Sequence, residues 1–217
     1  PTAVAGAGLW LLAVKPQAMR AACEPLAGPA QAARPLVVSI AAGIPVARIQ
    51  QWLGGELPVV RCMPNTPALL GAGVTGLYAA PQVDAAGRQR AEQLLASAGA
   101  TVWVAGESLV DAVTAVSGSG PAYAFLLAEA MEAAAVAEGL PAADARSLVV
   151  HTLLGAGRML AESGQAPAEL RRQVTSPGGT TQAAIETFQA GGLETLVARA
   201  VHAARQRAAE LATGAGA

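Results

Sequence analysis

Lysine is almost missing from this sequence: Lys15 is the only one among 217 residues, and charged residues of all kinds make up 13%. With a net charge of −1 and no polybasic run, the chain has neither the basic surface that nucleic acid demands nor the cluster that draws a protein to anionic lipid. Aromatic residues are scarce too, at 3%, although hydrophobic residues reach 53%. The interior must therefore be built from small side chains, much of it alanine and valine. Such residues let helices approach closely, but each buries little apolar area. A helical part made of them gains from covering one face with a second subunit. The two cysteines, Cys23 and Cys62, lie in unrelated segments, which argues for free thiols in a reducing cytosol and against a disulfide framework. Two histidines, His151 and His202, fall within helical stretches, and no Cys or His cluster has metal-ligand spacing. No apolar stretch reaches the roughly 18 residues of a membrane span; the run at residues 9–14 stops at Lys15-Pro16. Also absent is a Gly-x-Gly-x-x-Gly turn between a strand and a helix. Gly6-Ala7-Gly8 precedes an apolar run instead of following one. With no initiator methionine, and Pro1 leading straight into that run, the chain reads as beginning in mid-domain.

What is present alternates. Apolar runs at residues 9–14, 36–40, 59–63, 74–79 and 101–104 are rich in Val, Leu and Ile without polar alternation, the pattern of strands covered on both faces. Helical stretches separate them, one opening near Pro16, one after Pro45 and one over residues 83–97 that Gly99 closes. This predicts an open, mostly parallel sheet. From about residue 109 only helices are expected, over residues 119–138, 142–163, 168–174, 180–189 and 193–211, with Ser119 as the cap of the first. The fold class is thus α/β plus all-α, with residues 1–106 forming one domain and residues 107–217 the other.

Several segments carry polar or small residues where chemistry is expected. Thr175-Ser176-Pro177-Gly178-Gly179-Thr180-Thr181 stops one helix and opens the next. Unpaired N–H groups at such a helix start, at the positive end of the dipole, suit a small carboxylate. Seen alone, the segment is an ordinary capped helix. Ser117-Gly118-Ser119-Gly120-Pro121-Ala122-Tyr123 resembles a nucleophile loop only superficially, because it is not a Gly-x-Ser-x-Gly elbow and has no histidine partner. Its glycines suit close approach of a helix near a ligand. Three strand ends follow one another: Ala13-Val14-Lys15-Pro16, Ser39-Ile40-Ala41-Ala42-Gly43 and Arg61-Cys62-Met63-Pro64-Asn65-Thr66-Pro67. Ligands of open α/β sheets bind at carboxyl ends of strands, so these three point to one site.

Taken in order, with Asp111-Ala112-Val113-Thr114 before the Ser117 segment and Gly191-Gly192 beyond Thr181, these segments resemble the pyrroline-5-carboxylate reductase family. The resemblance implies a Rossmann-like nucleotide domain, here lacking its first part, followed by a helical dimerisation and substrate-binding domain. The implied reaction is reduction of 1-pyrroline-5-carboxylate to L-proline with NADPH or NADH, in the cytoplasm, by a homodimer or a higher homo-oligomer built from it. No metal is implied. Carried over residue by residue, Glu107, Gly179, Thr180 and Thr181 bind substrate, the Thr181 hydroxyl meeting the ring nitrogen. Ala13, Val14, Lys15, Pro16, Ala41, Ala42, Asn65 and Gln173 contact the cofactor, Gln173 standing where some relatives carry asparagine. On the reading of a truncated start, these 217 residues alone form a poorly folded sheet and bind NADPH and NADH weakly or not at all, which calorimetric titration measures. Two alternatives remain at this point. One is a two-domain dehydrogenase of the 6-phosphogluconate or 3-hydroxyacid type, which calls for a lysine in the helix at 119–138, where there is none. The other is a non-catalytic helical dimer module.

Overall fold

Each of the five apolar runs becomes a strand in the computed structural model, which describes residues 4–214; Pro1 and the end of the Gly/Ala tail lie outside the described residues. The strands are β1 (Leu9–Leu12), β2 (Leu36–Ser39), β3 (Val59–Met63), β4 (Gly73–Ala79) and β5 (Gly99–Trp103). They lie side by side in chain order in one sheet. β1, β2 and β3 run parallel, with Leu12 beside Ser39 and Ser39 beside Arg61. β2 is buried along its whole length and β3 along most of it, the reason their valines run without polar alternation. The links are helical. A 3-10 turn (Pro16–Ala18), α1 (Met19–Cys23), a second 3-10 turn (Glu24–Leu26) and α2 (Ala27–Ala33) join β1 to β2, and α3 (Val46–Trp52) joins β2 to β3. Met19, Ile44, Ile49, Leu53 and Leu57 pack onto Val37, Val38, Val59, Val60 and Leu77, all fully buried.

One reversal was not visible in the apolar runs. β4 is antiparallel to β3, and β5 is parallel to β4. Only residues 64–72 separate β3 from β4, whereas a parallel return needs a crossover of a dozen or more residues. The segment makes a short 3-10 turn (Thr66–Leu70) ended by Gly71 at φ 68°. The longer β4–β5 link carries α4 (Ala85–Ala96), capped by Asp84, which accepts the Gly87 N–H at 2.7 Å. Gly99 then opens β5 at φ 134°, where a Cβ would lie 2.0 Å from the carbonyl oxygen of Gly73. Only glycine fits.

Beyond β5 the described residues form α5 (Leu109–Val113), α6 (Gly120–Ala137), α7 (Ala142–Glu162), α8 (Pro167–Gln173), α9 (Thr180–Ala190) and α10 (Leu193–Gly214). The first of these corrects the sequence reading. The chain enters the helix at Leu109, not at Ser119, and passes through a π-helical turn (Thr114–Gly118) into α6. Ser119 has helical angles and donates its N–H to the Thr114 carbonyl at 2.8 Å, so it is no cap. Two residues account for the wide turn. Pro121 has no N–H for the regular ladder. Gly118 admits the side chain of Met63, whose end would lie 2.7 Å from a Cβ at that position.

The described residues form two compact units, one of residues up to 121 together with those from 201 on, the other of residues 122–200. The second unit has little interior of its own. Ala145, Val149 and Leu170 are buried there, while Phe125 and Leu126 on α6 are 67% and 66% exposed, and Leu148, Leu154, Phe188 and Leu196 are also exposed. Large apolar side chains left exposed in such number are characteristic of interaction surfaces. None of the described helices is long and apolar enough to cross a membrane.

Candidate active site

Because β1, β2 and β3 are parallel, their carboxyl ends share one edge of the sheet. β1 ends in Ala13, Val14 and Lys15, all exposed. Lys15 is extended (φ −60°, ψ 147°), and Pro16 at once starts a 3-10 turn, where its missing N–H costs nothing. β2 ends in a loop in which the residues take turns. Ala41 and Ile44 are buried, Ala42 is exposed and Gly43 sits at φ 72°. Pro16 and Ala42 line one cavity of about 960 Å³, together with Gln17, Gly43, Asp111 and Thr114. That volume is within the range of ligand sites. Its walls at Ala42 and Gly43 carry at most a methyl group, so a flat ring can lie against the backbone. Arg20 and Arg207 also line it and are paired with Glu24 and Glu210.

Asn65, at the end of β3, is occupied within the fold. Its Oδ1 accepts the Val74 N–H at 2.9 Å and its Nδ2 donates to the Ser117 carbonyl at 3.2 Å. It ties the β3–β4 link to the π-helical turn.

The structure also brings together three residues that the sequence placed in separate segments. Arg61, on β3 and only 4% exposed, reaches Glu107 Oε1 at 3.3 Å and Asp111 Oδ1 at 3.6 Å. Glu107 Oε1 also accepts the Val46 N–H at 2.7 Å. Glu107 itself keeps 29% exposure. Asp111 Oδ1 is buried and makes no hydrogen bond among the described residues, where it holds the longer ion-pair contact with Arg61. The sequence did contain a signal for this network. Arg61 interrupts the run Val59-Val60-Arg61-Cys62-Met63, and an arginine inside a doubly covered strand requires a charged partner.

The Thr175–Thr181 segment lies in the helical unit. Thr175 Oγ1 donates back to the Arg171 carbonyl at 2.6 Å, ending α8. Gly178 turns the chain at φ 70° and donates its N–H to Gln182 Oε1 at 2.7 Å. Gly179 is the N-cap of α9, and a Cβ there would come within 2.5 Å of Ser176 Oγ. A glycine cap supplies no side-chain acceptor, so the first-turn N–H groups at Thr180 and Thr181 are left for an outside one. Thr181 is half-buried and Thr180 exposed. Gln173 donates to Gln165 Oε1 at 2.9 Å, both on the same unit.

Neither histidine takes part in such a cluster: His151 Nδ1 lies 2.8 Å from the Ser147 carbonyl one turn back on exposed α7. The cysteines are buried free thiols, and desolvation pushes Cys23 up to about 11 and Cys62 up to about 12. Both remain protonated, poor nucleophiles.

Residues 107–211 match the family model described as pyrroline-5-carboxylate reductase dimerisation. The pyrroline-5-carboxylate reductase of Pseudomonas aeruginosa is 57% identical over 210 residues, which cover 97% of this chain and 77% of that protein. The chain belongs to the pyrroline-5-carboxylate reductase family. Solved reductases share its fold. That of Coxiella burnetii superposes with a TM-score of 0.94 at 41% identity, over 97% of this chain and 78% of its own. The Plasmodium falciparum reductase with NADP bound superposes at 0.82 with 28% identity, over 94% and 77%. The fold is accordingly a Rossmann-like domain followed by a helical one, and family membership sets aside the 6-phosphogluconate type of dehydrogenase.

Proposed function

We propose that this protein is an oxidoreductase that reduces 1-pyrroline-5-carboxylate to L-proline with NADPH or NADH, the last step of proline synthesis. The observation that carries the reading is 57% identity to a pyrroline-5-carboxylate reductase over nearly the whole chain. The NADP-bound relative supports a nicotinamide cofactor, which supplies the hydride.

The roles of individual residues are carried over from the family resemblance, and features within each unit support some of them. Ala13, Val14, Lys15, Pro16, Ala41 and Ala42 would hold the cofactor at the strand ends. Small walls at Ala42 and Gly43 fit a flat ring, and the Lys15 ammonium suits phosphate or ribose oxygens. Asn65 would act there mainly by bracing the β3–β4 link, through its bonds to Val74 and Ser117. Gln173 belongs to the same assignment. The substrate carboxylate would be held by the N–H groups at the start of α9, with Gly179 giving the close approach and Thr180 and Thr181 the donors. The Thr181 hydroxyl would hydrogen-bond the ring nitrogen, whose protonated form accepts hydride at the neighbouring carbon. Glu107 would line the substrate end through its exposed part. Positioning and electrostatics suffice for such a transfer.

Residues 1–106 are taken as the nucleotide-binding part and residues 107–217 as the helical dimerisation and substrate-binding part. The exposed apolar residues of α6, α7, α9 and α10 support a homodimer through these helices, from which higher homo-oligomers can be built. Two buried free thiols suit a reducing cytoplasm. The test is oxidation of NADPH and of NADH on addition of pyrroline-5-carboxylate, with L-proline identified by mass spectrometry. Cofactor oxidation that does not depend on the imine, or no proline formed, refutes the assignment.

A further inference from the structure

We infer that Glu107, through its Oε1 atom, is a positioning residue for the cofactor loop between β2 and α3. The inference rests on the reading above that Ala41 and Ala42 contact the cofactor. That loop is held at two places. At its start Ala41 is buried and its N–H faces Ser39 Oγ at 3.4 Å, a long contact. At its end Val46 opens α3 with Pro45 as N-cap, and proline has no side-chain acceptor for a first-turn N–H. Glu107 supplies the acceptor from 61 residues away, at 2.7 Å. A carboxylate at a helix start gains both a charge-assisted bond and the favourable end of the dipole. Arg61, buried and rigid in β3, grips the same oxygen, so the carboxylate cannot swing out. Between the two anchors stand the exposed Ala42 and the left-handed Gly43, both on the cavity wall. Glu107 thus sets where Ala42 and Gly43 stand without touching the cofactor.

Val46→Pro tests this directly. Proline suits the first helical position, and Pro45 at ψ 153° already has the conformation a following proline needs. The substitution deletes the N–H that Glu107 accepts. The expected result is an NADPH KM raised about tenfold, in keeping with loss of one charge-assisted hydrogen bond. The kcat at saturating cofactor and the KM for pyrroline-5-carboxylate should stay within about twofold. Glu107→Ala removes the acceptor from the other side and should also raise the NADPH KM. Ala42→Leu is measured alongside, because it fills the wall directly. If Ala42→Leu raises the NADPH KM but Val46→Pro and Glu107→Ala do not, the positioning role is overturned alone. If Ala42→Leu has no effect, the cofactor reading falls and takes the inference with it. In Val46→Pro, a fall in urea midpoint with no split between the two KM values is the signature of a merely structural bond and also overturns the inference.

Discussion

Replacing Arg61 by methionine removes the one cation that two buried or half-buried carboxylates share. Arg61 is 4% exposed and lies 3.3 Å from Glu107 and 3.6 Å from Asp111. At an effective dielectric constant of about 20, each contact is worth about 5 kcal/mol of gross Coulomb energy. Desolvation cancels much of this while the network is whole. The loss appears when one partner goes, and breaking a buried pair typically costs about 3–5 kcal/mol. Glu107 keeps the Val46 N–H and some contact with water, which places the expected loss at the lower end, about 3 kcal/mol. Methionine fills the space of the arginine stem, so little of the loss comes from a cavity. For a chain of this length 3 kcal/mol corresponds to a fall in Tm of about 6–12 °C, or about 1 M or more in urea midpoint. Trp10, Trp52 and Trp103 all belong to the sheet-containing unit, so tryptophan fluorescence during urea unfolding reports on it. Protein concentration must be held constant, because subunit association adds to apparent stability. Neutralising the partners together, as Arg61→Met with Glu107→Gln and Asp111→Asn, should recover about half of the loss. A single variant that unfolds within about 0.3 M of the parent would refute the idea that this network anchors β3 to α5.

Thr181→Ala should lower kcat about 10- to 100-fold, the worth of one hydrogen bond to a charged ring nitrogen, while size-exclusion chromatography finds the oligomer unchanged; full activity would remove the hydroxyl from the mechanism. Gly99→Ala should prevent folding of the sheet, since its Cβ would meet the Gly73 carbonyl at 2.0 Å with φ at 134°, and soluble, native-like protein on expression would contradict that geometry. Alkaline pH should destabilise the protein through its cysteines. Their folded values of about 11 and about 12 stand above the ordinary 9.0, so the protonated thiols contribute fully below about pH 9. That contribution is lost as pH rises towards 11 or 12, by about 1.4 kcal/mol per pH unit for each thiol. Urea unfolding at pH 8 and pH 10.5 measures it, and Cys23→Ala with Cys62→Val should flatten the difference; an equal slope in that variant would assign the pH effect to other groups.

Much of the fold can be read from local pattern. Apolar runs without polar alternation marked all five strands within one or two residues, and β2 and β3 are covered on both faces as that pattern predicts, whereas Leu11 on β1 and Val102 on β5 are exposed. Pro16 and Pro45 marked helix starts and Gly99 a stop, because proline and glycine act on their own backbone. The π-helical turn was missed because its cause is divided: Pro121 is local, but the side chain of Met63 that Gly118 admits comes from another strand. The antiparallel turn into β4 was missed although its cause, the short link at residues 64–72, is visible in the sequence. Of the site residues, Pro16 and Ala42 come together at one cavity, and Gly179 to Thr181 form the expected helix start. The bonds that Asn65 and Glu107 make within the fold were not legible in the sequence.

The sequence by itself determined the family, the five strands and most of the helices. These depend on residues near one another in the chain or on motifs met in order. Only the tertiary structure decided that Arg61 answers both Glu107 and Asp111, that Glu107 caps a helix 61 residues away, and that Asn65 spans two segments. Those bonds exist because the parallel register of β2 and β3 and the reversal into β4 bring distant groups to between 2.7 and 3.6 Å of one another, and no local pattern encodes a distance across a sheet.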